Sequence, residues 1–289
     1  MEKDVLIKIQ DNYQKLSKSQ KLIAEYILYH YDKAAFLTAA KLGSTVNVSE
    51  STVVRFANVL GFDGFPELQK ALQELIKNKL TTVQRIELSD DYHGNENIFE
   101  TVLKSDMKDI HDTINELNIS DFEETLNMIC EAKKIYVIGL RSSTALAEYL
   151  GFYLNLIFDN ITVVRLGISD IFEQIIKISH DDIIIGIGFP RYSQRTIDAL
   201  SYAREKNAKI VSITDSLISP LTPFSDKVLI AKTDMDSFVD SLVAPMSLIN
   251  ALIVSLGMKN KDKMIGVFKN LEEVWDKYDI YVKDVNKRW

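Results

Sequence analysis

Apolar positions fall into two rhythms along the chain, and the change comes near residue 97. Up to about residue 78 they recur every three or four residues, the spacing of amphipathic helices. "LSKSQKLIAEYILYHY" sets Leu22, Ile23, Tyr26, Ile27 and Tyr29 on one stripe, with Ser17 or Ser19 as the N-cap. A second helix is expected through "LTAAKLGSTV" and a third from Ser49. A fourth runs along "FPELQKALQELI", where Pro66 suits a first turn. "LTTVQRIELSDDYHGNEN" has no periodicity and many turn formers, so it is expected to be a linker. Beyond it, after helical stretches at about 98–117 and 121–132, come five short β-branched runs: "KKIYVIGL", "ITVVRL", "DDIIIGIGF", "AKIVSIT" and "DKVLIA". Helical windows separate them, and residues 238–287 are helical again. Unbroken apolar strands alternating with helices predict a parallel sheet covered on both faces. The predicted fold is an all-α helix-turn-helix domain followed by an α/β/α three-layer domain with a five-stranded parallel sheet. The expected boundaries are 1–78, a linker at 79–105, and 106–289.

Charge alters this picture only locally. The chain carries net −7, but residues 1–80 hold 11 Lys+Arg against 9 Asp+Glu, a net of +2. The first unit can therefore meet phosphate without strong repulsion. One cysteine, Cys130, and four scattered histidines (His30, His93, His111, His180) offer no disulfide framework or metal cluster, so no cofactor is expected. No apolar run approaches the roughly 18 residues of a membrane span, and the start is too charged for a signal peptide. A cytoplasmic protein without a membrane partner is the expectation.

Two stretches carry candidate chemistry. In "NVSESTVVRFANVLGF", Ser49 is placed to cap a helix, and Val53, Val54, Ala57 and Leu60 to bury one face. Glu50, Ser51, Thr52, Arg55 and Asn58 are left for the exposed face. A recognition helix reads base edges with its N-terminal residues while the preceding helix, here with Lys41, crosses the backbone. The same pattern fits a helical bundle with a solvated face. "VSESTVVRFANVLGFDGFPELQKAL" resembles the N-terminal domain of the RpiR family of bacterial transcriptional regulators, and the likeness reaches back through "LSKSQKLIAEYIL". Ser49, Thr52, Arg55 and Phe56 match that family's pattern; Ala57-Asn58 departs from it where a more basic stretch is expected. The resemblance implies a double-stranded DNA partner, Arg55 close to DNA and Phe56 in the core.

The second stretch is a pair of strand ends. "IYVIGLRSSTALAEYL" offers Arg141, Ser142 and Ser143 at a helix start, where backbone N–H groups favour anions. "IGFPRYSQRTIDAL" offers Arg191, Tyr192, Ser193 and Thr196. Neither a dinucleotide fingerprint nor a P-loop is present. The alternative reading is that Ser143 and Ser193 are merely N-caps of their helices. Residues 106–260 resemble the SIS sugar-isomerase and sugar-phosphate-binding domain: Ser143 matches its first phosphate loop, and Ser193 and Thr196 the hydroxyl pair of its second. "SITDSLISPL" and "DSFVDSLVAPMSLINAL" match later segments. The resemblance implies a phosphorylated-sugar effector and a homodimer or homotetramer. Isomerisation needs a base beside a carbonyl. His180 precedes a strand, at the wrong end of the sheet, and only Glu173 follows a strand within reach. A ligand-responsive regulator of carbohydrate-metabolism genes is therefore expected, with a sugar-phosphate isomerase as the alternative.

Overall fold

The computed structural model describes residues 5–79, 81–86, 97–233 and 239–281. The chain divides into two units, Met1–Ile98 with Met235–Asp240, and Phe99–Asp234 with Ser241–Trp289.

The first unit contains α1 (Val5–Asn12), α2 (Lys18–Tyr29), α3 (Tyr31–Ala34), α4 (Ala39–Thr45), α5 (Glu50–Val59) and α6 (Phe65–Lys79). Ser17, not Ser19, starts α2: its hydroxyl accepts from Gln20 N while the Gln20 side chain accepts from Ser17 N, a reciprocal cap. The buried face of α2 differs from the expected stripe. Ile23, Ala24 and Ile27 are inside, whereas Leu22 and Tyr29 are exposed. Ala24 therefore takes a place in the buried face beside Ile23 and Ile27, and Leu22 and Tyr29 fall outside it. Ile9, Ile23, Ile27, Leu42, Val53, Phe56, Leu68 and Leu72 share one core. Each such side chain contributes about 1.5–3 kcal/mol on burial. Glutamines tie α6 back across the unit, Gln69 to Leu37 O and Gln73 to Ala35 O. Within the stretch expected to be a structureless linker, residues 82–86 are helical. There Arg85 is buried and pairs with Asp240 at 2.8 Å. Most of the remaining stretch, His93 included, lies outside the described residues.

The second unit begins with α7 (Ile98–Glu116) and α8 (Ile119–Glu131), the latter capped by Asn118. Then come β1 (Ile135–Gly139), α9 (Thr144–Ile157), β2 (Ile161–Val164), α10 (Ile171–Ile175), β3 (Ile183–Ile187), α11 (Gln194–Glu205), β4 (Lys209–Thr214) and β5 (Lys227–Ile230). Two helices close it, α12 (Val243–Lys259) and α13 (Lys261–Lys277). All five strands are parallel, in the order β2-β1-β3-β4-β5. Strand residues alternate between two cores, as a doubly covered sheet requires. Val137, Ile185 and Ile213 pack with Leu126, Leu150 and Leu252 of α8, α9 and α12. Tyr136, Ile138, Ile184 and Ile210 pack with Ile171 and Leu200 of α10 and α11. Helix α9 lies so close to the sheet that a Cβ at Gly151 would stand 2.1 Å from Val163 Cγ2. Among the described residues, no single helix is long and apolar enough to cross a membrane.

Candidate functional site

In the first unit the turn between α4 and α5 is set by its backbone. Asn47 takes the left-handed region at φ 56°, and Val48 N donates to Gly43 O at 2.8 Å. A Cβ at Gly43 would lie 2.8 Å from Val48 O, so only glycine permits this approach of the two helices. Val48 is half-buried against the core. Ser49 occupies the N-cap position of α5, but the expected capping bond is absent. Its hydroxyl instead meets those of Ser51 at 3.0 Å and Thr52 at 2.8 Å, in the first turn of the helix. Phe56 is buried with Val53, Ala57 and Leu60, whereas Val54 is exposed. The hundred-degree step of a helix carries residue 54 off the face that 53, 56, 57 and 60 define. Lys41, Ser49, Glu50, Ser51 and Arg55 are exposed and Thr52 half-buried. Arg55 lies back along the helix, its Nε donating to Ser51 O and its NH2 to Ser51 Oγ, both at 3.2 Å. Asn58, where a basic residue was expected, accepts from Gly64 N at 3.0 Å. It thus holds the following turn, where Gly61 and Gly64 both have positive φ.

In the second unit the strand order reverses between β1 and β3, since β2 lies on one side of β1 and β4 and β5 beyond β3. Loops leaving neighbouring strands in opposite directions open a crevice there, where ligands of such sheets bind. Gly139 and Ile187 are partners in register, so the β1 and β3 loops spring from the same level. Those loops and the helix starts they lead into carry every sugar-phosphate candidate. Gly139 allows the first loop to fold back, since a Cβ there would stand 2.7 Å from Ser143 O. Ser143 and Ser193 hold the N-cap positions of α9 and α11, yet neither side chain makes a capping bond. The purely structural role for these two serines is therefore not what the side chains do. Ser143 is 4 % exposed and Thr196 1 % exposed, and the Thr196 hydroxyl has no hydrogen-bond partner. A buried hydroxyl without a partner costs about 1–3 kcal/mol, so a group that satisfies it is expected to bind strongly.

The end of β4 adds residues the sequence comparison named only as matching segments. Asp215 is 4 % exposed and accepts from the Tyr192 hydroxyl and, at 3.2 Å, from Thr214 Oγ1. Thr214 Oγ1 also meets Ser219 Oγ at 2.8 Å, and the buried Ser216 hydroxyl has no partner. Tyr192 therefore fastens the β3 loop to β4. At the outer edge, Arg165 at the end of β2 is held by both carboxylate oxygens of Glu148. That bond draws the Glu148 carboxyl below its ordinary value.

Backbone conformation singles out two residues. Among the described residues, five that are not glycine have clearly positive φ: Asn47, Asn207 and Asp279, types that tolerate it, and Arg141 at 60° and Arg191 at 62°. Arginine there is strained by about 1–3 kcal/mol, and such strain concentrates at functional sites. Sequence alone carries no signal for this. Possible bases fare poorly. Glu173 accepts from Asp170 N in the cap of α10, and exposed His180 sits before β3 beside Asp181.

Two family models match the chain. Residues 3–79 match the helix-turn-helix domain of the rpiR family, and residues 128–255 match the SIS domain. An HTH-type transcriptional regulator of Haemophilus influenzae is 29% identical over 248 residues, 78% of this chain and 79% of its own length. The HTH-type transcriptional regulator HexR of Escherichia coli is 26% identical over 283 residues, 93% of each chain. Among solved structures, the sugar isomerase domain of an RpiR transcription factor from Sphaerobacter thermophilus aligns with TM-score 0.58 and 26% identity, over 61% of this chain and 98% of its own. The Vibrio vulnificus NanR protein, complexed with ManNAc-6P, shares the fold with TM-score 0.57 and 21% identity over 93% and 97%.

Proposed function

Because the chain belongs to the RpiR family of helix-turn-helix transcriptional regulators, with a SIS domain as its second unit, we propose that it binds operator DNA under control of a phosphorylated sugar. In this reading residues 1–78 bind DNA, 79–105 link, and 106–289 sense, in the cytoplasm, with carbohydrate-metabolism genes as targets. The observation that carries the sensor is the buried Thr196 hydroxyl, which has no hydrogen-bond partner, in the first turn of the helix that follows β3. Around it, Ser143, Ser193 and the starts of α9 and α11 supply hydroxyls and backbone N–H groups suited to a phosphate. Ser142, Arg141, Arg191 and Tyr192 complete the two loops. A phosphate there would be met by donors alone, which is electrostatic recognition without chemistry. The cap role of Glu173 and the position of His180 favour a sensor over an isomerase.

For DNA, the exposed start of α5 presents Ser49, Glu50, Ser51, Thr52 and Arg55, with Lys41 on α4 toward the backbone. Assembly into a homodimer or homotetramer is supported by α7, which leaves Phe99 71%, Met107 70% and Ile114 68% exposed. Ligand would then act by favouring one arrangement of paired recognition helices over another. The test is selection of bound fragments from a genomic DNA pool with and without a sugar-phosphate mixture, at near-physiological salt. A two-fold symmetric motif whose enrichment changes with the mixture is expected. Arg55→Ala should weaken binding to it by about 1–3 kcal/mol and shallow the salt dependence. Turnover of ketose and aldose phosphates with no DNA motif enriched would replace the regulator by an isomerase.

A further inference from the structure

Helix α2 leaves on its surface two residues whose spacing predicts burial. Leu22 is 44% exposed and Tyr29 80% exposed, with Tyr26 half-buried between them. They belong to a shaped surface. With Glu25 and His30 they form one wall of an open groove of about 320 Å³, and Val46 and Asn47 of the α4–α5 turn form the other. The His30 imidazole leans on the Tyr26 ring, centroids 5.1 Å apart at 47°, so the end of α2 presents aromatic surface. Glu25 is the one carboxylate in the lining, and no lysine or arginine joins it. That carboxylate accepts from the Tyr13 hydroxyl. Its two oxygens offer about four acceptor positions, so capacity remains. Beside the groove the same chemistry already holds a cation: the Lys21 ammonium lies 5.2 Å from the centroid of the Tyr13 ring.

A phosphate finds no cation to pair with in such a lining, and a wholly apolar ligand would desolvate the carboxylate without compensation. A cation satisfies both walls. Ring faces attract it through their quadrupole, and a planar guanidinium also meets a carboxylate with two parallel hydrogen bonds. The volume falls at the lower end of small-molecule sites. A stable protein partner covers about 800 Å² on each side, more than these few side chains supply. We propose that the groove binds a small organic cation, a guanidinium or ammonium group on a short apolar chain. Tyr26 and Tyr29 would pack against its body, and Glu25 would take its N–H groups. The site lies within the first unit and stands independently of the phosphate site in the second. Its occupant would touch Val46 and Asn47, the turn that leads into α5.

The experiment titrates the full chain with agmatine and with butylguanidine, followed by saturation-transfer NMR on the ligand. It is run at about pH 8, above the range in which imidazoles charge. Butylurea, of the same shape but neutral, is the matched control; sodium chloride holds ionic strength constant, and a blocked arginine tripeptide presents the guanidinium as a protein would. Both guanidinium probes should bind saturably and roughly fivefold or more tighter than butylurea. Glu25→Gln should erase that preference, and Tyr29→Ala should weaken both probes roughly threefold or more. Both side chains are exposed, and a glutamine oxygen still accepts from Tyr13, so thermal unfolding should be unchanged in either variant. Equal binding of butylurea, no saturable binding of either guanidinium probe, or a preference that survives Glu25→Gln overturns the proposal. Tighter binding of the tripeptide than of agmatine assigns the groove to an arginine of a protein partner and overturns the small-molecule occupant. The sugar-phosphate reading stands or falls separately from all of these.

Discussion

Gly43→Ala tests whether the helix-turn-helix is held by close backbone approach. An alanine Cβ would sit 2.8 Å from Val48 O and 3.4 Å from Glu50 N. An unstrained carbon–oxygen contact is about 3.3–3.6 Å, so the backbone at 48–50 must retreat by about 0.5–0.8 Å. That retreat strains the Val48 N to Gly43 O bond, 2.8 Å long, which pins the turn. Overpacking of this kind costs about 1–3 kcal/mol, and losing the bond about 1 kcal/mol more. Alanine returns up to about 1 kcal/mol in helix propensity. The net is destabilisation by about 1–3 kcal/mol, or a melting temperature lower by about 5–20 °C in a unit of this size. The assay is urea unfolding followed by far-ultraviolet circular dichroism. Tryptophan fluorescence serves as an internal reference, since both tryptophans fall late in the chain, at 275 and 289. The ellipticity transition should move to lower urea while the fluorescence transition stays in place. Gly266→Ala supplies the opposite sign: it lies exposed in α13 with nothing within 4 Å of the added Cβ. That change should stabilise by about 0.5–1 kcal/mol. A Gly43→Ala protein that unfolds at the same or higher urea refutes the close-approach argument.

Thr196→Val replaces an unpartnered buried hydroxyl by a methyl of the same shape, so folding stability should hold or rise. Sugar-phosphate affinity by titration should fall about tenfold; unchanged affinity would remove Thr196 from the site. Tyr192→Phe takes one of two donors from the buried Asp215 carboxylate and should cost about 1–3 kcal/mol in urea unfolding, or the bond contributes nothing. Glu148 has a lowered folded-state pKa because Arg165 bonds its ionised form. Its contribution is therefore present above the unfolded value of about 4.3 and is lost as pH falls through the folded value. At a side chain 39% exposed, that is about 0.5 kcal/mol or less. Glu148→Gln should remove it at neutral pH and make the acid limb below about pH 4 shallower; an identical limb would show the pair to be neutral.

The strands were legible because buried parallel strands read as unbroken Ile and Val runs, and "IIIGI" in β3 leaves little else to be read. Strand order was not legible, since β1 is flanked by β2 and β3 through crossovers whose direction no local residue encodes. The candidate loops were found from Ser143, Ser193 and Thr196, whose types suit anion binding at helix starts. The missing capping bonds of the two serines and the unpartnered hydroxyl of Thr196, by contrast, are properties of packing. Helix faces were read less well. In α2 Ile23 and Ile27 are inside as expected, but Leu22 and Tyr29 were expected there too and Ala24 was not, and in α5 Val54 was expected inside. Both errors weigh hydrophobic size where close helix packing selects angle. Arg85 reads as an ordinary linker cation, whereas it is buried and bonded to Asp240, 155 residues away.

The three hydroxyls at the start of α5 have a consequence for how such a tip adapts to what it touches. Ser49 shares its oxygen with Ser51 and Thr52, and in each pair either atom can be the donor. The cluster is amphoteric: rotating one proton converts a donor surface into an acceptor surface without moving a heavy atom. Arriving at a phosphate it offers hydrogens, and arriving at an exocyclic amine it offers lone pairs. Such a surface is a lubricant rather than a lock, tolerant of register and of base. Discrimination among DNA sequences would then fall to Arg55, whose guanidinium has only hydrogens to give.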